Sequence, residues 1–140
     1  MTNEALLRVR LANPINFNCA NIYGIEKGAI LALSDPLIAS GAVTAIGKIA
    51  GICAGEKIAS NGQTTVAVFR QGWFDMVASG AITVGEAVQN SSDANYPNTV
   101  KAHLITSSGA CLMGTALETA TDGERILIDL HCGVGGNGIA

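Results

Sequence analysis

Apolar positions along this chain fall in short runs separated by glycine and small polar residues. In residues 6–11 (LLRVRL), Leu7, Val9 and Leu11 alternate with Arg8 and Arg10. That is the period of a half-buried strand, and Asn13-Pro14 stops it. Residues 17–23 are Asn-rich and read as irregular, while residues 28–33 (GAILAL) predict a short buried strand ended by Ser34-Asp35-Pro36. Ile46, Ile49, Ala50 and Cys53 have helical spacing, but Gly47, Gly51 and Gly55 interrupt them. Each such glycine costs about 1 kcal/mol inside a helix, so strand is the expectation. Residues 56–69 (EKIASNGQTTVAVF) predict a hairpin with arms 57–60 and 63–69 around Asn61-Gly62. That pair suits a type I′ turn, in which both central residues need positive φ. Residues 72–77 continue as strand, and 77–82 leave room for a short helical turn. Further strands are expected over 100–105, 110–117 and 124–131. Residues 90–98 read as a polar surface loop.

The richest stretch is 66–88 (VAVFRQGWFDMVASGAITVGEAV), with the only tryptophan, Trp73, and two of three phenylalanines, Phe69 and Phe74. Phe69, Trp73, Phe74 and Met76 are candidates for the core or a subunit interface. Neighbours on a strand point to opposite faces, so Trp73 and Phe74 should divide between two environments. Gly-Glu precedes an apolar run three times, at Gly55-Glu56, Gly85-Glu86 and Gly123-Glu124. Glycine suits a turn with positive φ, and the alternation after it suits a strand. These features predict a mainly β, small single-domain sandwich or barrel-like (β-tulip-type) fold with at most one short helix. Residues 1–19 would form an extended N-terminal arm, 20–132 a β-rich domain and 133–140 a flexible Gly-rich tail.

Composition narrows the function classes. A chain of 140 residues can bury a core without staples. Charged residues make up 14%, against roughly 25% in an ordinary soluble domain. With 49% hydrophobic residues and a mean hydropathy of +0.37, part of the surface is expected to be covered by other subunits. Net charge is −3 and no basic patch is visible, so no nucleic-acid partner is expected. Residues 37–55 carry a G-x-x-x-G series at 47, 51 and 55, but Lys48 and Asp35-Pro36 argue against a membrane span.

Chemistry finds little support. Cys19, Cys53, Cys111 and Cys132 have no metal-ligand spacing with His103 or His131, and no secretory leader is visible, so reduced, buried thiols are expected. His131-Cys132 are strand neighbours and point apart. A meeting of Cys19 or Cys111 with either histidine stays open. G-x-G-x-x-G at 133–138 lacks the following helix of a dinucleotide site. The Gly-Glu turns are similar to those of lipoyl and biotinyl carrier domains, but the tip 60–63 has no lysine to carry a cofactor. Asp75, Asp122 and Asp129 are too scattered for paired carboxylate chemistry, and the sequon at Asn90 means little without secretion. No catalytic residue, cofactor or metal is expected.

Residues 20–39 (ANIYGIEKGAILALSDPLIA), 49–58 (IAGICAGEKI), 74–88 (FDMVASGAITVGEAV) and 114–130 (GTALETATDGERILIDL) together resemble the tailed-phage capsid decoration, or cement, proteins. The resemblance spans about residues 20–130. It implies a non-enzymatic virion protein, assembled in the host cytoplasm, that binds the outer capsid surface and clamps neighbouring major capsid subunits. It also implies a homotrimer on three-fold positions. Leu7, Arg8, Val9, Arg10 and Leu11 are then the candidate capsid-contacting arm, adding to a partner's sheet edge. An ordinary edge strand of the same domain is the other reading. A small-molecule-binding β-barrel, a Cys–His enzyme and a minor tail or virion structural protein are the alternatives of function.

Overall fold

The computed structural model describes residues 3–41, 48–91, 98–102 and 112–132. They form eleven strands and no helix: β1 Leu6–Val9, β2 Ile15–Asn18, β3 Ile30–Ser34, β4 Ile38–Gly41, β5 Ile49–Cys53, β6 Thr65–Phe69, β7 Gln71–Ala78, β8 Ala87–Asn90, β9 Thr99–Ala102, β10 Leu112–Ala116 and β11 Arg125–His131. Ten of them build two rings of the same design. β2-β4-β3-β5-β6 close a first barrel. β7-β9-β8-β10-β11 close a second, because the end of β7 pairs with β9. In each ring the first strand meets the third in parallel, through Asn18↔Ile38 and Val77↔Thr99, and every other pairing is antiparallel. β1 stands outside both rings and pairs with β7.

The duplication extends to single hydrogen bonds. Glu26-Lys27-Gly28-Ala29, Thr83-Val84-Gly85-Glu86 and Thr121-Asp122-Gly123-Glu124 are turns in which the fourth N–H donates to the first carbonyl. The third residue is glycine at φ 87°, 90° and 83°, as a type II turn requires. Ile25 exchanges two backbone bonds with Lys57, and Ile82 does the same with Ala120. An extra residue kinks β5 at Ala50 and β10 at Met113, each just before a glycine. A Cβ on Gly51 would collide with the Phe69 carbonyl oxygen, and one on Gly114 with that of Asp129.

Apolar side chains fill both rings. Phe17, Leu31, Val66 and Val68 pack inside the first. Phe74, Met76, Met113, Ile126, Ile128 and Leu130 belong to a larger cluster that reaches Ile30, Ile52 and Phe69, so one core joins the barrels. Polar bonds cross the same junction: Asn98 accepts from the Ile30 N–H at 3.0 Å, and Arg70 donates to the Ala50 carbonyl at 2.9 Å.

Several expectations change. Residues 17–18, expected to be irregular, belong to strand β2, where Phe17 is buried. No hairpin forms around Asn61-Gly62. Gly62 keeps a positive φ, but Ser60 rather than Asn61 is the second such residue, because Lys57 is paired with Ile25 while Asn21 captures the Ser60 and Gly62 N–H groups. The 77–82 segment leaves β7 through a bend to the Ile82 bridge, without a helical turn. Gly55 is not at positive φ; the third turn of the series is at Gly28, which alanine rather than glutamate follows. The 133–140 tail, its glycine motif, His103, Cys111 and most of the 90–98 loop lie outside the described residues.

Candidate interaction surfaces

Strand β1 is the first surface. Leu6, Leu7 and Val9 are all exposed, as is Leu11 beyond the strand. Only one edge of β1 is paired among the described residues, through Leu6↔Asp75, Leu7↔Phe74 and Val9↔Trp73. An extra residue between Leu7 and Val9 breaks the expected alternation. The two arginines of the candidate arm turn to their own chain. Arg8 forms an ion pair with Asp75 at 2.5 Å, and the Arg10 guanidinium lies 5.7 Å above the Phe69 ring. Both are engaged with their own chain and still face solvent, Arg8 with 59% of its side chain exposed. Arg125 anchors the approach to β1, donating to the Glu4 and Asp75 carbonyls.

The candidate aromatic residues separate by position. Phe69 and Phe74 meet edge to face with ring centroids 5.6 Å apart, and both are buried with Met76. Trp73 points the other way and keeps 36% of its surface exposed beside Val9. Below β1 lies a cleft of about 720 Å³ between the barrels, walled by Phe69, Phe74 and Ile52 and rimmed by Glu26, Lys27 and Glu56.

A third surface, missed in the sequence, is the tip of the first barrel. Lys57 is 2% exposed, and its ammonium donates to three backbone carbonyls. They belong to Asn21 at 2.7 Å, Tyr23 at 2.7 Å and Ile58 at 3.3 Å. Asn21 binds the facing loop twice more: its carbonyl accepts from Ser60 N–H and its side-chain oxygen from Gly62 N–H. The signal was an apolar pair, Ile22-Tyr23, in a polar loop.

Among the described residues, the thiols of Cys19, Cys53 and Cys132 are all buried. Burial pushes the Cys53 thiol up, against a smaller opposing hydrogen bond with the Gly55 backbone, and pushes Cys132 up to about 11. His131 lies on the exposed side of β11 and pairs with Gln71, away from buried Cys132. Among the described residues no three His, Cys, Asp or Glu side chains could hold a metal ion, and no helix is long and apolar enough to cross a membrane. Among the described residues, apolar side chains pack the interiors of both barrels.

Residues 25–130 match the phage cement protein family. No curated protein matches the sequence. Among solved structures, the head fiber gp8.5 N base of bacteriophage phi29 has a similar fold, with a TM-score of 0.53 at 18% identity. The match covers 84% of this chain and 93% of that one.

Proposed function

The chain belongs to the phage cement protein family and is a structural protein of a phage head, and on that premise we propose that it stabilises the capsid from outside without catalysis. It binds the outer surface of the expanded head and clamps neighbouring major capsid subunits. It acts as a homotrimer, which fits three-fold positions and the low surface charge. Assembly follows in the host cytoplasm.

The observation that supports this reading best is β1. Its exposed leucines and valine and its open edge suit the addition of an extended capsid segment as a further strand. Leu7, Val9 and Leu11 supply apolar contact beside Trp73, while Arg8 pairs with Asp75 of β7 and Arg10 lies over Phe69 of β6.

The test is a binding titration on expanded heads that lack the protein, with the temperature of head rupture as a second readout. Deleting residues 1–12 should weaken binding and lower the rupture temperature. Circular dichroism checks that the barrels persist. Unchanged affinity would overturn the role of β1, and absence of binding by the parent would overturn capsid stabilisation itself. Sedimentation should give the mass of three chains at micromolar concentration; a monomer that stays monomeric on heads would overturn the trimer.

A further inference from the structure

The two barrels can be compared loop by loop, and their tips differ in one place. Cys19 N–H and Ala78 N–H occupy matching positions, donating to Thr64 and Glu124 carbonyls. Between them and the Ile25–Lys57 and Ile82–Ala120 bridges, the first barrel has longer loops on both sides. Residues 20–24 stand where the second barrel has 79–81, and residues 58–63 stand where it has 121–123.

The added residues are not a slack insertion. They carry Ile22, Tyr23 and Ile58, whose exposures are 62%, 66% and 64%. Lys57, at the position of Ala120, binds the backbone carbonyls of Tyr23 and Ile58 themselves. The Ile82–Ala120 bridge forms without a lysine, so the ammonium is not required by the bridge. What it adds is a fixed backbone beneath three exposed apolar side chains. Burying an ammonium is costly unless its donors are satisfied, and here three carbonyls satisfy them. Fixing an apolar cluster in advance lowers the ordering cost of binding a partner.

We infer that this clamped tip, with Ile22, Tyr23 and Ile58 as anchors, is a second capsid-docking surface, which the second barrel lacks. The inference rests on the capsid-binding reading and names the part of the chain that carries it. The chemistry of the tip specifies the partner. Residues 19–24 and 58–64 contain no acidic or basic side chain, and Lys57 is turned inward. Tyrosine, asparagine, serine and glycine around aliphatic anchors make an adaptable, uncharged contact, as on binding loops of other proteins. The matching face on the capsid subunit is apolar with a neutral polar rim. Attachment through this tip is therefore weakly dependent on salt.

The experiment compares the full-length parent, Tyr23→Ala/Ile58→Ser and Val84→Ser on expanded heads, at two salt concentrations. Val84 is also exposed, in the 83–86 turn of the second barrel, and is the internal control. Loss of about tenfold or more in affinity for the double variant, with Val84→Ser like the parent, is expected for anchors of an interface. Thermal melting and sedimentation of the free variants accompany the titration. Equal head binding by parent and double variant overturns the inference while leaving capsid binding intact. Failure of the parent to bind overturns the reading beneath it. A double variant that loses its oligomer, but binds heads in proportion to the oligomer remaining, assigns the tip to a second copy of this chain and overturns the capsid partner. Lys57→Met probes the clamp: it retains the bridge N–H and should weaken head binding without altering the neutral tip surface. Parent-like affinity of a folded Lys57→Met protein overturns the role of the ammonium.

Discussion

At residue scale, glycine serves the strand bulges and glutamate the repeated turns. Gly51 and Gly114 are required by proximity, since a carbonyl oxygen of the next strand occupies the place of a Cβ. Gly114→Ala should therefore lower the melting temperature strongly, whereas Gly55→Ala, which meets open space, should change it little. Glu124 acts on the turn itself. Its carboxylate accepts from the backbone N–H and hydroxyl of Thr121, and these bonds hold its pKa below the ordinary value. A depressed folded pKa gives stability that is present above the unfolded pKa and lost as pH falls through the folded one. The melting temperatures of parent and Glu124→Gln should differ most near neutrality and converge towards pH 3. A difference independent of pH would mean that the charge of Glu124 contributes nothing. Buried, upshifted Cys53 and Cys132 should react slowly with a thiol reagent in the folded protein. Fast labelling of either at neutral pH would revive thiol chemistry.

At element scale, β7 links the core to the outer face. Its alternation sends Phe74 and Met76 inward and leaves Trp73 outside. Phe74→Ala should cost about 3–5 kcal/mol in denaturant unfolding, the usual range for a buried aromatic. Trp73→Ala should cost far less in the isolated chain and show its effect on assembly or head binding instead. Equal destabilisation by both would contradict this division. The β7 pattern was legible because period two and an aromatic pair agreed on a strand. The 56–69 hairpin was misread for the opposite reason: Asn61-Gly62 is a strong local signal, but distant Asn21 and Ile25 take the backbone bonds that a hairpin would use. The intrachain partners of the exposed β1 arginines were hidden for a similar reason, since Asp75 and Phe69 lie more than fifty residues away. Of the candidate surfaces, the β1 positions could be read from alternation. The tip could not, because its organising group is a lysine whose burial no local pattern reveals.

At the scale of the molecule, the duplication escaped the sequence because it is written in the backbone. Leu31 matches Val88, Ala32 matches Gln89 and Lys57 matches Ala120, so little identity survives outside Gly28/Gly85 and Gly51/Gly114. Two closed barrels could in principle unfold separately, like beads. The core argues otherwise. Ile30, Ile52 and Phe69 of the first barrel share one cluster with Phe74, Ile126 and Leu130 of the second. Asn98 and Arg70 bind backbone groups across the junction, so opening one barrel would strip partners from the other. One cooperative transition is therefore expected. Trp73 fluorescence reports the second barrel. In a Cys111→Ser/Cys132→Ser background, the remaining thiols, Cys19 and Cys53, are both buried in the first. Tryptophan emission and thiol exposure, followed through the same denaturant series, should share a midpoint. Separated midpoints would show that the junction is too weak to couple the barrels. Coincidence would fit the mechanical role of a cement protein: load taken up by β1 on the second barrel and by the tip of the first would pass through a single rigid body.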